Sequence, residues 1–128
     1  MQRPSVLLLE RDSAWLRRCA TVLSNAGFHV DVTEDLLDMR NKLAFKRCEV
    51  AVVPSYLEPH GYLAPVRLGK ELCRGCKVLV LSAAPSERDM VDAYDLGAAK
   101  YLPKPVNPKP LVRVVCELTN TRVSGRAR

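Results

Sequence analysis

The chain has 128 residues, 48% of them hydrophobic and 27% charged, which suits one domain that can bury a core without disulfide or metal staples. No apolar run is long enough to cross a bilayer, and the first, residues 6–9, is too short for a signal-peptide core, so a cytoplasmic protein is expected. Arg122, Arg126 and Arg128 supply half of the net charge of +6, and without interleaved aromatics this basicity favours solubility or weak polyanion attraction over nucleic-acid readout.

Residues 6–9 form a short apolar strand that ends in Glu10-Arg11-Asp12. Asp12 or Ser13 can cap the helix that follows, where Leu16, Cys19, Ala20 and Leu23 recur at helical spacing and Gly27 is the stop. Phe28, Val30 and Val32 alternate with His29 and Asp31, as in an edge strand exposed on one face. A second helix is predicted over about residues 35–45, with Leu36, Met39 and Leu43 on one side.

Val50-Ala51-Val52-Val53 is apolar without alternation, which predicts a strand covered on both faces in the middle of a parallel sheet and stopped by Pro54-Ser55. A loop over residues 54–62, rich in turn formers such as Pro59-His60-Gly61, leads to a third helix. That helix has Pro65 in its first turn and Val66, Leu68 and Leu72 toward the sheet, with Gly69 as its least suited residue. Residues 78–81 are another buried strand, closing on Ser82. Ser86-Glu87-Arg88-Asp89 reads as a capping box with Asp89 as its acid, opening a helix that Gly97 ends. Tyr101-Leu102 is a last short strand, and Asn107-Pro108 opens a helix to about Thr119 with Leu111, Val112, Val115 and Leu118 inward.

Five strand–helix units imply right-handed crossovers and helices on both faces of one parallel sheet. The chain divides into an N-terminal extension (1–4), a domain (5–119) and a basic flexible tail or start of a linker (120–128). Of five cysteines, at 19, 48, 73, 76 and 116, only Cys73 and Cys76 are closely spaced, and this usage suits a reducing compartment. A structural zinc site needs a second pair and a redox pair belongs at a helix start, so both read as small apolar residues near a helix end. No glycine-rich phosphate loop follows the first strand.

Chemistry in an open α/β sheet gathers beyond the carboxyl ends of the strands. There Glu10-Arg11-Asp12, Pro54-Ser55, Ser82 and Lys104 share one rim. With Leu81-Ser82-Ala83 after the fourth strand and Gly97-Ala98-Ala99-Lys100-Tyr101-Leu102-Pro103-Lys104-Pro105 around the fifth, the chain resembles the receiver domain of bacterial response regulators over about residues 5–119. The resemblance implies an α/β, doubly wound (βα)5 flavodoxin-like fold, with a five-stranded parallel sheet of order 2-1-3-4-5.

It also implies roles. In a working receiver an aspartate ending the third strand accepts a phosphoryl group from phosphohistidine, and acidic residues after the first strand help it hold magnesium through oxygen ligands. A Ser or Thr after the fourth strand and a Lys after the fifth bind the phosphoryl oxygens, and an aromatic on the fifth strand rotates with phosphorylation. Ser82, Lys104 with Pro105, and Tyr101 match those positions. The acceptor does not match: it falls on Pro54 when aligned through the strand and on Ser55 when aligned back from Pro59. A proline has no nucleophile, and a serine ester lacks the lability of an acyl phosphate. Glu10 matches the first acidic position, Arg11 replaces the second, and Asp12 follows one place later.

A guanidinium in place of a carboxylate disfavours a divalent cation, so magnesium binding is expected to be lost, with Arg11 paired to Glu10 or Asp12 in its stead. The chain is thus expected to be an atypical receiver that is not an enzyme, holds no cofactor and signals by protein–protein interaction or self-association. Its surface would be that of the fourth helix, fifth strand and fifth helix, where Met90, Val91, Tyr94, Lys100 and Tyr101 lie. Two alternatives are an active receiver using a displaced acid such as Glu58, and a fragment of a DNA-associated regulator whose tail touches phosphates. His60 is a candidate proton carrier in the loop nearest the pocket, and Lys104 either binds an anion or pairs with Glu10 or Asp12.

Overall fold

The elements run β1 (Ser5–Leu9), α1 (Ser13–Asn25), β2 (His29–Thr33), α2 (Leu36–Phe45), β3 (Val50–Pro54), β4 (Tyr56–Leu57), β5 (Gly61–Tyr62), α3 (Ala64–Leu72), β6 (Lys77–Ser82), α4 (Glu87–Asp95), β7 (Lys100–Pro103) and α5 (Pro108–Thr119). They come from a computed structural model that describes residues 3–73 and 75–121. The three arginines of the basic tail lie outside the described residues.

Five strands pair in parallel in the order β2-β1-β3-β6-β7, the expected flavodoxin-like topology once β6 and β7 are counted as the fourth and fifth strands of this sheet. β3 is central, and every one of its residues is buried. Pro54 belongs to the strand and does not merely follow it: it is the last residue in register, opposite Leu81. At a strand's end its missing N–H removes little from the ladder.

Alternation along the strands divides the core in two. Leu7, Leu9, Ala51, Val53, Val78 and Val80 pack with Met39 of α2, Val66 of α3 and Ala93 of α4. Val6, Leu8, Val50, Val52, Leu79 and Leu81 pack with Leu16 and Leu23 of α1 and Leu111 and Val115 of α5. Gly69 suits α3 because it lies against β6, where an added Cβ would meet Val78 Cγ2 at 3.3 Å.

Helix starts follow the polar residues in the sequence. Asp12 accepts from the Trp15 N–H (3.1 Å), Asp35 from Asp38 (2.8 Å) and Ser86 from Asp89 (2.9 Å), each satisfying a donor the first turn leaves free. Asn107 precedes α5 without a side-chain cap, and Pro108 supplies the preset φ there.

Three expectations need correction. The loop over 54–62 contains a small antiparallel hairpin, β4 with β5, pairing Tyr56 with Tyr62. On β2 the alternation does not hold to the end: Phe28 is buried but Val32 is 39% exposed and Thr33 is buried, since an edge strand is covered by fewer neighbours. Cys73 and Cys76 are joined in a disulfide (Cα–Cα 5.4 Å) across the turn between α3 and β6.

Candidate functional site

Parallel strands deliver their carboxyl ends to one rim, and backbone hydrogen bonds carry the ladder past the strands. The N–H of Glu10 donates to Thr33 O (3.1 Å), that of Ser55 to Leu81 O (3.2 Å) and that of Lys104 to Ser82 O (2.7 Å). Glu10, Ser55, Ser82 and Lys104 are therefore fixed by sheet geometry. Two clefts flank Lys104, each of about 380 Å³: one is bounded by Glu10, Asp12, Trp15 and Pro105, the other by Pro54, Ser55, Tyr62, Ser86 and Asp89.

On the first side, Lys104 Nζ donates to Glu10 Oε1 at 2.5 Å, and Glu10 Oε2 accepts the Arg11 N–H at 3.0 Å. Both carboxylate oxygens are engaged. Asp12 spends its side chain on the α1 cap. The expected pairing of Arg11 with Glu10 or Asp12 does not occur: its guanidinium donates to the backbone carbonyls of Glu34 (3.3 Å) and Glu58 (2.5 Å). With the neighbouring carboxylates already occupied, it reaches outward and ties the loop after β2 to the hairpin after β3. Trp15 Nε1 donates to Val106 O at 2.8 Å, fixing the indole beside Lys104.

On the second side a polar cluster sits in an otherwise apolar interior. Ser55 and Ser82 are 6% and 1% exposed, and their hydroxyls meet at 3.3 Å. Of Pro54 and Ser55, only Ser55 presents a polar side-chain atom to Ser82. Tyr101 points inward from β7, 9% exposed, and its hydroxyl donates to the carboxylate of Asp89, itself only 5% exposed. Asp89 is therefore not the returning acid of a capping box: its backbone N–H completes the Ser86 cap while its carboxylate turns into the pocket.

Burial pushes the Asp89 carboxyl up, but the hydroxyls of Ser82, Tyr101, Tyr62 and Ser55 outweigh it and hold the group below the usual carboxylate range. The same contacts act oppositely on the phenols: burial and the hydrogen bond to Asp89 raise Tyr101, and burial with bonds to Asp89 and Asp92 raises Tyr62. The pocket thus holds a carboxylate kept low by nearby hydroxyls, to which the Tyr101 hydroxyl donates. Tyr62 also bridges from β5 to Asp92 of α4 at 3.1 Å.

Sequence reasoning missed Asp89 and Tyr62 as pocket residues. Asp89 lies four residues before the buried Ala93, so an acid on the inward stripe of α4 was the available signal. His60 lies elsewhere, lining a shallow groove between α2 and α3 with Arg40 and Glu71. Glu58, the displaced acid considered above, accepts from the Tyr56 hydroxyl at 2.5 Å in the exposed hairpin. Met90, Val91 and Tyr94 are 38%, 46% and 42% exposed on α4, whereas Lys100 is half-buried and Tyr101 is buried.

A family model for the response regulator receiver domain matches residues 6–116. The chain is 30% identical over 117 residues to the transcriptional regulatory protein GltR of Pseudomonas aeruginosa, covering 84% of this chain and 46% of that one. It is 27% identical over 103 residues to the photosynthetic apparatus regulatory protein RegA of Cereibacter sphaeroides, covering 80% and 56%. Among solved structures it is similar to HP1043, an orphan response regulator of H. pylori (29% identity, TM-score 0.81, 91% and 98% of the two chains). A CheY-like receiver domain protein from Methanospirillum hungatei JF-1 shares the fold at 22% identity, with a TM-score of 0.83 over 93% and 96% of the chains. The chain spans about half the length of the two regulators from Pseudomonas and Cereibacter.

Proposed function

Because this chain belongs to the response-regulator receiver family, we propose that it is an atypical receiver whose pocket is set by its own Asp89 and not by an accepted phosphoryl group, and that it signals through protein–protein contact. The observation that carries this reading is the occupation of the switch hydroxyls. Ser82 and Tyr101 stand at the positions that report phosphorylation in the family; the Tyr101 hydroxyl donates to a carboxylate from α4, and the Ser82 hydroxyl is paired with that of Ser55. Ser55 offers a hydroxyl where the relay needs a carboxylate nucleophile.

The donor set also argues against magnesium. A small hard cation needs several free oxygens in near-octahedral array. Glu10 is bonded to Lys104 and to a backbone N–H, Asp12 caps α1, and Arg11 supplies no oxygen ligand. These residues do not fit the ion. Met90, Val91 and Tyr94 on α4 supply an apolar patch for a protein partner or a second copy, on the helix that carries Asp89.

Incubation with magnesium and acetyl phosphate, followed by intact-mass measurement, tests the reading. An unchanged mass is expected, and an acid-labile phosphoryl adduct would overturn it. A transcriptional output is the second reading, favoured by the name of the Pseudomonas relative. Fusion of a reporter DNA-binding domain after residue 128 of this chain, scored for DNA occupancy that changes with α4 substitutions, tests it.

A further inference from the structure

At the opposite, amino-terminal edge of the sheet, three sulfurs converge that the pocket does not use. Cys48 lies two residues before β3 and Cys76 one residue before β6, and these strands are neighbours with Val50 in register with Lys77. Cys73 is the cap at the end of α3, which packs over both strands. The Sγ atoms of Cys48, Cys73 and Cys76 all lie within 4.8 Å of one another. Cys73 and Cys76 are 6% and 5% exposed and belong to the apolar cluster under α2 and α3. The remaining cysteines, Cys19 and Cys116, are buried on the other face of the sheet.

We propose that Cys48, Cys73 and Cys76, once the Cys73–Cys76 disulfide is reduced, form a three-thiolate site for a thiophilic trivalent centre, with trivalent arsenic as the species its coordination number and charge fit. A centre bonded to three sulfurs at about 2.3 Å holds them within about 4 Å of each other, so side-chain rotation suffices. Arsenic(III) needs three ligands, its lone pair taking the fourth direction. Zinc takes four, and among the described residues no fourth Cys, His, Asp or Glu joins the cluster. Charge decides the same way. Three thiolates on arsenic(III) make a neutral product, whereas three on a divalent ion leave a net negative charge in an apolar site.

The chemistry balances in two steps. A thiol or phosphine reductant gives two electrons to the Cys73–Cys76 bond, both sulfurs gain a proton, and the reductant is oxidised. Arsenous acid then exchanges three As–O bonds for three As–S bonds, the three thiol protons leaving with the three hydroxides as water, with no change of oxidation state.

The test uses the full chain, reduced with a phosphine that is then removed, because a dithiol would itself chelate arsenic. One equivalent of arsenite should give, by native intact mass, a single adduct heavier by one arsenic less three hydrogens. Peptide mapping after alkylation should show Cys48, Cys73 and Cys76 protected together. Cys48→Ala should weaken binding by about tenfold or more, and Cys19→Ala should not. If Cys48→Ala fails to fold, the alkylation footprint of the wild-type chain still decides. An arsenic-loaded chain in which Cys48 remains open to alkylation would overturn the proposal, as would equal affinity in Cys48→Ala or a tighter one-to-one zinc complex on the same cysteines.

Discussion

If Asp89 and Tyr101 form the working contact of the pocket, their removal should be strongly non-additive. Asp89 is 5% exposed and Tyr101 is 9% exposed, so neither group falls back on bulk water when its partner is lost. A hydrogen bond to a charged group contributes about 1.5–3 kcal/mol, and a buried hydroxyl left unpaired costs about 1–3 kcal/mol. Asp89→Ala, which strips Tyr101 of its acceptor, should therefore destabilise the fold by about 3 kcal/mol. Asp89→Asn, which keeps an acceptor oxygen but no charge, should cost about half as much. Tyr101→Phe should cost about 2 kcal/mol in the wild-type background and only a few tenths beside Asp89→Ala. Urea unfolding of the four chains closes the cycle. A coupling under about 0.5 kcal/mol would show that the contact does not hold the pocket together, and the functional reading would lose its main support.

Acid provides an independent check on the same group. The folded carboxyl lies below its ordinary value, near 3.9 in an unfolded chain, so the unfolded state binds its proton first as pH falls. The stabilisation is complete above about pH 5 and is lost as pH drops through the folded value. Stability of Asp89→Asn should consequently fall less between about pH 5 and 3 than that of the wild type, by urea midpoints at each pH. Lys104→Met should cost about 1–2 kcal/mol by leaving the half-buried Glu10 without its cation, and a second change, Glu10→Gln, should recover most of that loss in the same assay. Gly97→Ala should cost about 1–2 kcal/mol, since Gly97 has φ 104° and a Cβ there would meet Lys70 Cε at 2.9 Å; an unchanged melting temperature would contradict this. Met90→Asp with Tyr94→Asp should abolish partner binding or self-association, read by sedimentation, while leaving the unfolding free energy within about 0.5 kcal/mol of wild type.

The sheet was legible because its strands are short apolar runs separated by capped amphipathic helices, and parallel pairing leaves few ways to order them. Ser82 and Lys104 could be assigned to one rim because strand ends obey the topology, whereas Tyr101 was singled out only by the resemblance. Arg11 was misjudged because its neighbours' commitments are not visible in sequence: Glu10 belongs to a lysine 94 residues away, and Asp12 to the helix it starts. Asp89 fitted a local motif so well that its other half, a carboxylate on the inward stripe of α4, went unused. The cysteines illustrate the converse. Spacing sets Cys73 and Cys76 close together but they read as apolar helix-end residues, and Cys48 enters only when β3 and β6 are known to be adjacent.

Asp89 sits in the first turn of α4, two and five residues from Val91 and Tyr94, so one rigid element carries both the plug of the pocket and the exposed patch. A ligand on that patch that turns or lifts the helix must draw the carboxylate away from Tyr101. By reciprocity, anything that competes for that hydroxyl alters affinity at the patch by the same factor. Under the proposed function such a domain would be written and read through the same helix, its partner's grip set by how firmly one hydroxyl holds one carboxylate.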